Sequence, residues 1–111
     1  MEIQEERAGD TVLISPVGRL DSYSCREFES RLLDLIGPKG TPVVIDLARL
    51  DYVSSAGLRV LLMAAKKSRA TNGRIALAAL QPHVQQVFEI SGFSSVFEIY
   101  EGRSDALEAV S

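Results

Sequence analysis

A chain of 111 residues has room for one domain and buries enough surface to fold without a disulfide or structural metal. Hydrophobic residues make up 46% and charged ones 24%, the proportions of an ordinary globular protein. The net charge of −3 argues against a nucleic-acid surface, which concentrates Lys and Arg.

The first residues, Glu2 to Glu6, are short and charged, with Ile3 the only bulky apolar side chain. They lack the basic start and apolar run of a secretion signal. Gly9-Asp10 reads as a hairpin turn into TVLISPVGRL, where Val12 and Ile14, with Val17 a candidate to join them, point one way and Pro16 suggests an edge position or a bulge. Asp21 and Ser22 are good helix caps, and Ser24 with Glu27 has the spacing of a capping box. Cys25, Phe28, Leu32, Leu35 and Ile36 recur at three and four residues, which predicts an amphipathic helix ended by Gly37 to Pro42.

Val43, Val44, Ile45 and Leu47 form the continuous apolar run of a strand covered on both faces. A second helix is predicted from about Ser55 to Arg69. Leu58 and Val60 to Ala65 make it apolar nearly all round, so burial of most of it is expected. Arg74 to Leu80 reads as a short strand. Pro82 opens a third helix, whose Val84, Val87, Phe88 and Ser91 trace one face. Ser95 to Gly102 alternates around Phe97 and Ile99 as a last strand, and Ser104 is expected to cap a terminal helix carrying Leu107 and Val110. The order ββαβαβαβα predicts one α/β domain over residues 1–111, with a mixed, mostly parallel sheet, an N-terminal hairpin and about four helices.

Enzyme chemistry finds little support. His83 stands alone beside Pro82 and has no Cys or His partner for zinc, so a metal site is not expected. Cys25 has no second cysteine to pair with and reads as a small buried hydrophobe in a reducing compartment. A triad of Ser55, His83 and Asp46 can be drawn, but the G-x-S-x-G pattern of a nucleophile elbow is absent. Gly-rich phosphate loops are also missing, and no cofactor is implied. Asp46 lacks the acid pair and the later lysine of a phospho-aspartate receiver, so it is expected to support the turn that follows.

The most informative stretch is DYVSSAGLRVLL, Asp51 to Leu62. It places Ser54, Ser55, Ala56 and Gly57 at the start of the apolar helix. Free N–H groups and partial positive charge there hold a hydroxyl well and a phosphate better. A modifiable serine in that place acts as a charge switch; the plainer alternative is a helix cap.

With the element order and DLARLDYVSSAGLRVLL together, the chain resembles the STAS-domain anti-sigma factor antagonists. Asp46-Leu47, Leu50, Tyr52-Val53 and Gly57-Leu58 match the family pattern, and GRLDS, Gly18 to Ser22, resembles the loop before its first helix. Gly73-Arg74, Val87-Phe88 and Gly92-Phe93 fall where the family has similar residues, so the likeness covers the whole chain. Registered on Gly57-Leu58, Ser55 takes the place of the family's phosphorylated serine. Ser54 replaces the acid before it and Ala56 the serine after it.

The resemblance implies a cytoplasmic bacterial regulator of transcription with no catalytic residue of its own. It implies partner switching: the unphosphorylated form binds an anti-sigma factor and serine kinase of the ATP-binding type, phosphorylation of Ser55 releases it, and a serine phosphatase restores it. The implied binding surface comprises Asp21, Ser22, Ser54, Ser55, Ala56 and Gly57, the last two letting a partner approach closely. Neither nucleic acid nor membrane insertion is implied, and the apolar second helix leaves a homodimer open. The alternatives are a constitutive STAS adaptor in a transport or sensory complex and, more remotely, a small serine hydrolase.

Overall fold

The computed structural model describes residues 1–110. The elements in chain order are β1 (Glu2–Ala8), β2 (Thr11–Leu20), α1 (Cys25–Ile36), β3 (Val43–Asp46), β4 (Leu50–Val53), α2 (Ser55–Ala70), β5 (Ile75–Ala78), α3 (Pro82–Ile90), β6 (Glu98–Tyr100) and α4 (Arg103–Val110), with a 3₁₀ turn at Phe93–Ser95. They build a six-stranded mixed sheet in the order β1-β2-β3-β5-β6, with β4 paired to β2. Only the β1–β2 hairpin is antiparallel. Ala8 pairs with Thr11 across the two-residue turn, and Gly9 supplies its positive φ.

β4 corrects the predicted order. Leu50 to Val53 is a separate short strand, parallel to the far end of β2, where the sequence suggested only a link to the helix. The same feature corrects one of the two readings of Pro16, the edge position; an irregularity does follow in β2, whose register shifts between Gly18 and Arg19. β2 is no edge strand: β3 pairs with Val12 to Ile14 and β4 with Gly18 to Leu20. The N–H groups of Val12 and Gly18 both donate to that side, to the carbonyls of Pro42 and Arg49. Strand alternation therefore aims the missing N–H of Pro16 into the gap between β3 and β4, where no ladder bond is lost.

The two faces of the sheet bury very different residues. One packs Ile14, Ile45, Leu50, Ile75 and Leu77 against Phe28, Leu32 and Ile36 of α1, Leu58, Leu61 and Ala64 of α2, and Val84 and Phe88 of α3. The other packs Leu13, Val44, Ala76 and Ala78 against Ala106 and Val110 of α4. The alanines of β5 are thus explained by strand alternation, because small side chains let α4 lie close. α4 is fixed further by Arg103, which contacts Asp46 of β3 at 2.9 Å and Glu6 of β1 at 3.0 Å.

Three local expectations are corrected. Ser104 lies inside α4 and does not cap it; Ala106 N–H reaches back to the carbonyl of Gly102. The last strand is only Glu98–Tyr100, because Phe93–Ser95 forms a 3₁₀ turn and Phe97 tucks into the core against Phe88. α2 is buried on one side only: Met63 is 42% exposed, so the helix is amphipathic after all. Among the described residues no helix is long and apolar enough to cross a membrane.

Candidate functional site

The parallel pairing of β2 with β4 sets Arg19 beside Tyr52 and Leu20 beside Val53. The residues that follow each strand, Asp21 and Ser54, therefore emerge at the same sheet end. The Ser54 N–H donates to the Leu20 carbonyl at 2.9 Å and ties the two exits together.

Each exit begins with a local device encoded in its own residues. Ser54 is extended, with φ −91° and ψ 174°, and its hydroxyl accepts the Gly57 N–H at 3.2 Å, which makes it the N-cap of α2. On the other loop, Asp21 Oδ1 accepts the N–H groups of Tyr23 at 3.0 Å and Ser24 at 3.2 Å. These bonds, that from Ser24 foremost, hold the Asp21 carboxyl below the usual carboxylate range. Ser24 Oγ accepts from Asp21 N and donates to the Arg19 carbonyl. The predicted Ser24–Glu27 capping box is therefore not formed; Glu27 instead receives the amino group of Met1.

The two serines of the motif are in different situations. Ser54 is half-buried and its hydroxyl is engaged by the cap. Ser55 is exposed on the first residue of the helix, and its hydroxyl makes no hydrogen bond among the described residues. Ala56 is half-buried beside it, and Ser22 is exposed on the neighbouring loop. Gly57 departs from the expectation that it opens the surface to a partner. It is buried, and a Cβ there would lie 2.7 Å from the Leu20 carbonyl oxygen and 3.0 Å from Val53 Cγ2. Its smallness lets α2 dock on the end of β2.

Sequence reasoning missed three residues that complete this surface. The Arg19 guanidinium lies 4.1 Å over the Tyr52 ring and 3.7 Å from the Asp21 carboxylate, bridging the two loops. Tyr23, on the Asp21 loop, is 94% exposed. The signal that would have found Arg19 and Tyr52 is their register across β2 and β4, which depends on the strand that the sequence did not reveal. Below Ser55 a groove of about 340 Å³ runs between α2 and the end of α3, lined by Leu58, Arg59, Leu62, Ser91 and Phe93.

The triad that can be drawn on paper is not assembled. Asp46 accepts the Ala48 N–H at 3.0 Å, supporting its turn as expected, and turns its second oxygen to Arg103. His83 Nε2 contacts the Asp51 carbonyl. No cluster of His, Cys, Asp and Glu suited to a metal occurs among the described residues.

The cap has a measurable weight. Ser54→Ala is expected to lower the unfolding free energy by about 1 kcal/mol, whereas Ser54→Asp, which keeps an acceptor, should not. Urea denaturation of the three proteins checks this, and equal midpoints for Ser54→Ala and the parent would remove the cap from the account.

The arrangement has close counterparts. Residues 2–106 match the family model described as STAS domain. BtrV of Bordetella bronchiseptica, whose name proposes it as an anti-sigma factor antagonist, is 38% identical over 98% of this chain and 94% of its own length. The anti-sigma-B factor antagonist of Listeria monocytogenes is 30% identical over 86% of this chain and 83% of its own. Among solved structures, the anti-sigma factor antagonist SpoIIAA in its unphosphorylated form superposes with a TM-score of 0.84 at 23% identity, covering 98% of this chain and 94% of its own. The phosphorylated Bacillus protein superposes at 0.77 with 22% identity, covering 99% and 100%.

Proposed function

The chain belongs to the STAS domain family, among relatives named as anti-sigma factor antagonists, and on that premise we propose that it works by partner switching through Ser55. Its unmodified form binds an anti-sigma factor that is also a serine kinase, in the cytoplasm, and so frees that protein's other client. Transfer of the ATP γ-phosphoryl group to Ser55 Oγ, with loss of the hydroxyl proton and release of ADP, ends the complex. A phosphatase hydrolyses the ester and restores binding. The surface engaged comprises Asp21, Ser22, Ser54, Ser55 and Ala56, together with Arg19, Tyr23 and Tyr52.

One observation carries this reading: of the two adjacent serines, Ser55 alone presents an unengaged hydroxyl to solvent. The chemistry of the helix start also favours the product. A phosphate at the first helical residue meets the free N–H groups and positive end of a 16-residue helix, so the free domain tolerates the added charge of about −1.5 to −2. That SpoIIAA, of the same fold, has been solved in both phosphorylation states supports the reading. Ser54 supplies the cap that the family acid would supply, without its charge.

The test is the intact mass of the protein from its native host, with and without phosphatase, and fragmentation to place any phosphate. A removable phosphate on Ser55 is the expected result. A protein unmodified through growth and stress would replace the switch by a constitutive adaptor.

A further inference from the structure

The outer face of α2 is chemically unlike the rest of the molecule. The helix holds Arg59, Lys66, Lys67 and Arg69 and no acid, while elsewhere in the chain 8 cationic side chains stand against 15 anionic ones. At about 100° per residue, Ser55, Arg59, Leu62, Met63, Lys66 and Ala70 fall within roughly 60° of one line along the helix. The exposed positions follow that line: Ser55, Arg59, Met63, Lys66 and Ala70 are all on the surface. Lys67 and Arg69 flank it and are already engaged, donating to the carbonyls of Leu33 and Val96. Arg59 and Lys66 have no hydrogen bond or ion pair among the described residues. The stripe is about 24 Å long, and its apolar flank is the groove of Leu58, Leu62 and Phe93.

We propose that this stripe is a docking surface for an acidic, amphipathic segment of the protein partner, its carboxylates on Arg59 and Lys66 and its apolar residues on Met63 and the Leu62–Phe93 groove. The inference rests on the partner-switching reading and extends it from the helix start along the whole of α2. Charge complementarity selects the occupant. A strongly anionic polymer or membrane would meet two free cations on a molecule that is otherwise acidic, whereas a short acidic segment covers the stripe alone. It also gives the switch its sign. Ser55 stands at the head of the stripe, so a phosphate there faces the same carboxylates that Arg59 attracts.

The experiment titrates the anti-sigma factor kinase from the same cell into five proteins by calorimetry at two salt concentrations. These are the parent, Ser55→Glu, Arg59→Glu/Lys66→Glu, the milder Arg59→Ala/Lys66→Ala, and Arg7→Glu/Lys39→Glu. The last carries the same charge change at the far end of the sheet. Circular dichroism confirms that each is folded. Expected are a loss of at least tenfold for the Arg59/Lys66 reversal, a smaller loss for the alanine pair, little change for the Arg7/Lys39 control, and parent binding that weakens as salt rises. If Ser55→Glu binds weakly while the Arg59/Lys66 reversal stays within twofold of the parent, the stripe is overturned and the switch stands. If the parent itself does not bind, both fall. Binding of duplex DNA or phosphatidylserine vesicles that is lost with the Arg59/Lys66 reversal, while kinase affinity is not, also overturns it.

Discussion

Ser55→Glu is expected to lower affinity for the proposed anti-sigma factor partner about a hundredfold or more, while Ser55→Ala should stay within a few-fold of the unmodified protein. The estimate follows from where the charge lands. In the complex a carboxylate at Ser55 loses water with only the exposed Arg59, one turn along, to offset it, and an interfacial charge left largely uncompensated costs about 3 kcal/mol or more. Each 1.4 kcal/mol is tenfold in affinity, so two orders of magnitude is the lower end. Glutamate carries one charge where phosphate carries nearly two, so the modified protein itself should bind more weakly still. The free domain responds in the opposite sense. Negative charge in the first turn of a helix stabilises it by about 0.3–1 kcal/mol, so Ser55→Glu should melt at or slightly above the parent temperature. Calorimetric titration and thermal melting on the same samples separate this from damage, because a misfolded variant loses both. Equal affinity of the parent and both variants would end the switch.

Gly57→Ala is expected to destabilise the domain by about 2 kcal/mol despite placing a better helix former in a helix. The propensity gain is about 1 kcal/mol. Against it stands a methyl group 2.7 Å from the Leu20 carbonyl oxygen and 2.9 Å from Leu20 Cγ. Overpacking of that kind costs about 1–3 kcal/mol, and the upper end applies because the nearest atom is backbone and cannot rotate away. That carbonyl also accepts the Ser54 N–H, so relieving the clash moves the cap and Ser55 with it. For a domain of this size the loss lowers the melting temperature by roughly 10 °C, readable by calorimetry, and partner affinity should fall as well. A variant more stable than the parent would show that α2 does not pack on Leu20 this closely.

These two residues also mark how far the sequence could be read. The long periodic elements were legible because their apolar spacing is local: Phe28, Leu32 and Ile36 of α1 and the run Val43 to Ile45 are buried as their pattern indicates. Ser55 was legible because it sits in a motif read by register on Gly57-Leu58. β4 was not. Its four residues bury Leu50 and Val53 and expose Asp51 and Tyr52, a pattern with neither a strand's alternation nor a turn signal at its start. Its existence is decided by β2, some thirty residues earlier in the chain. From that miss came the omission of Arg19 and Tyr52, which meet only across the β2–β4 pair. The inward role of Gly57 was hidden for the same reason, since what it packs against is the end of a distant strand. Ser24 and Ser104 failed differently. Each has the residue type of a cap, but Ser24 is drawn to Asp21 and Arg19, and α4 begins one residue before Ser104.

The change of partner along β2 gives the strand an uneven grip on the rest of the molecule. Near Val12 to Ile14 it lies between β1 and a sheet that continues to β6. From Gly18 to Leu20 it has left β1 behind and holds only the short β4. Its inward residue there, Leu20, is nonetheless buried with Leu50 and Val53, so the amides of this stretch too open only when part of the core opens. Arg19, Tyr52 and the Ser54 exit thus stand on a strand pair whose inner side is core and whose outer side is exposed. A surface so mounted keeps its shape in the free molecule, so little ordering is left for a partner to impose.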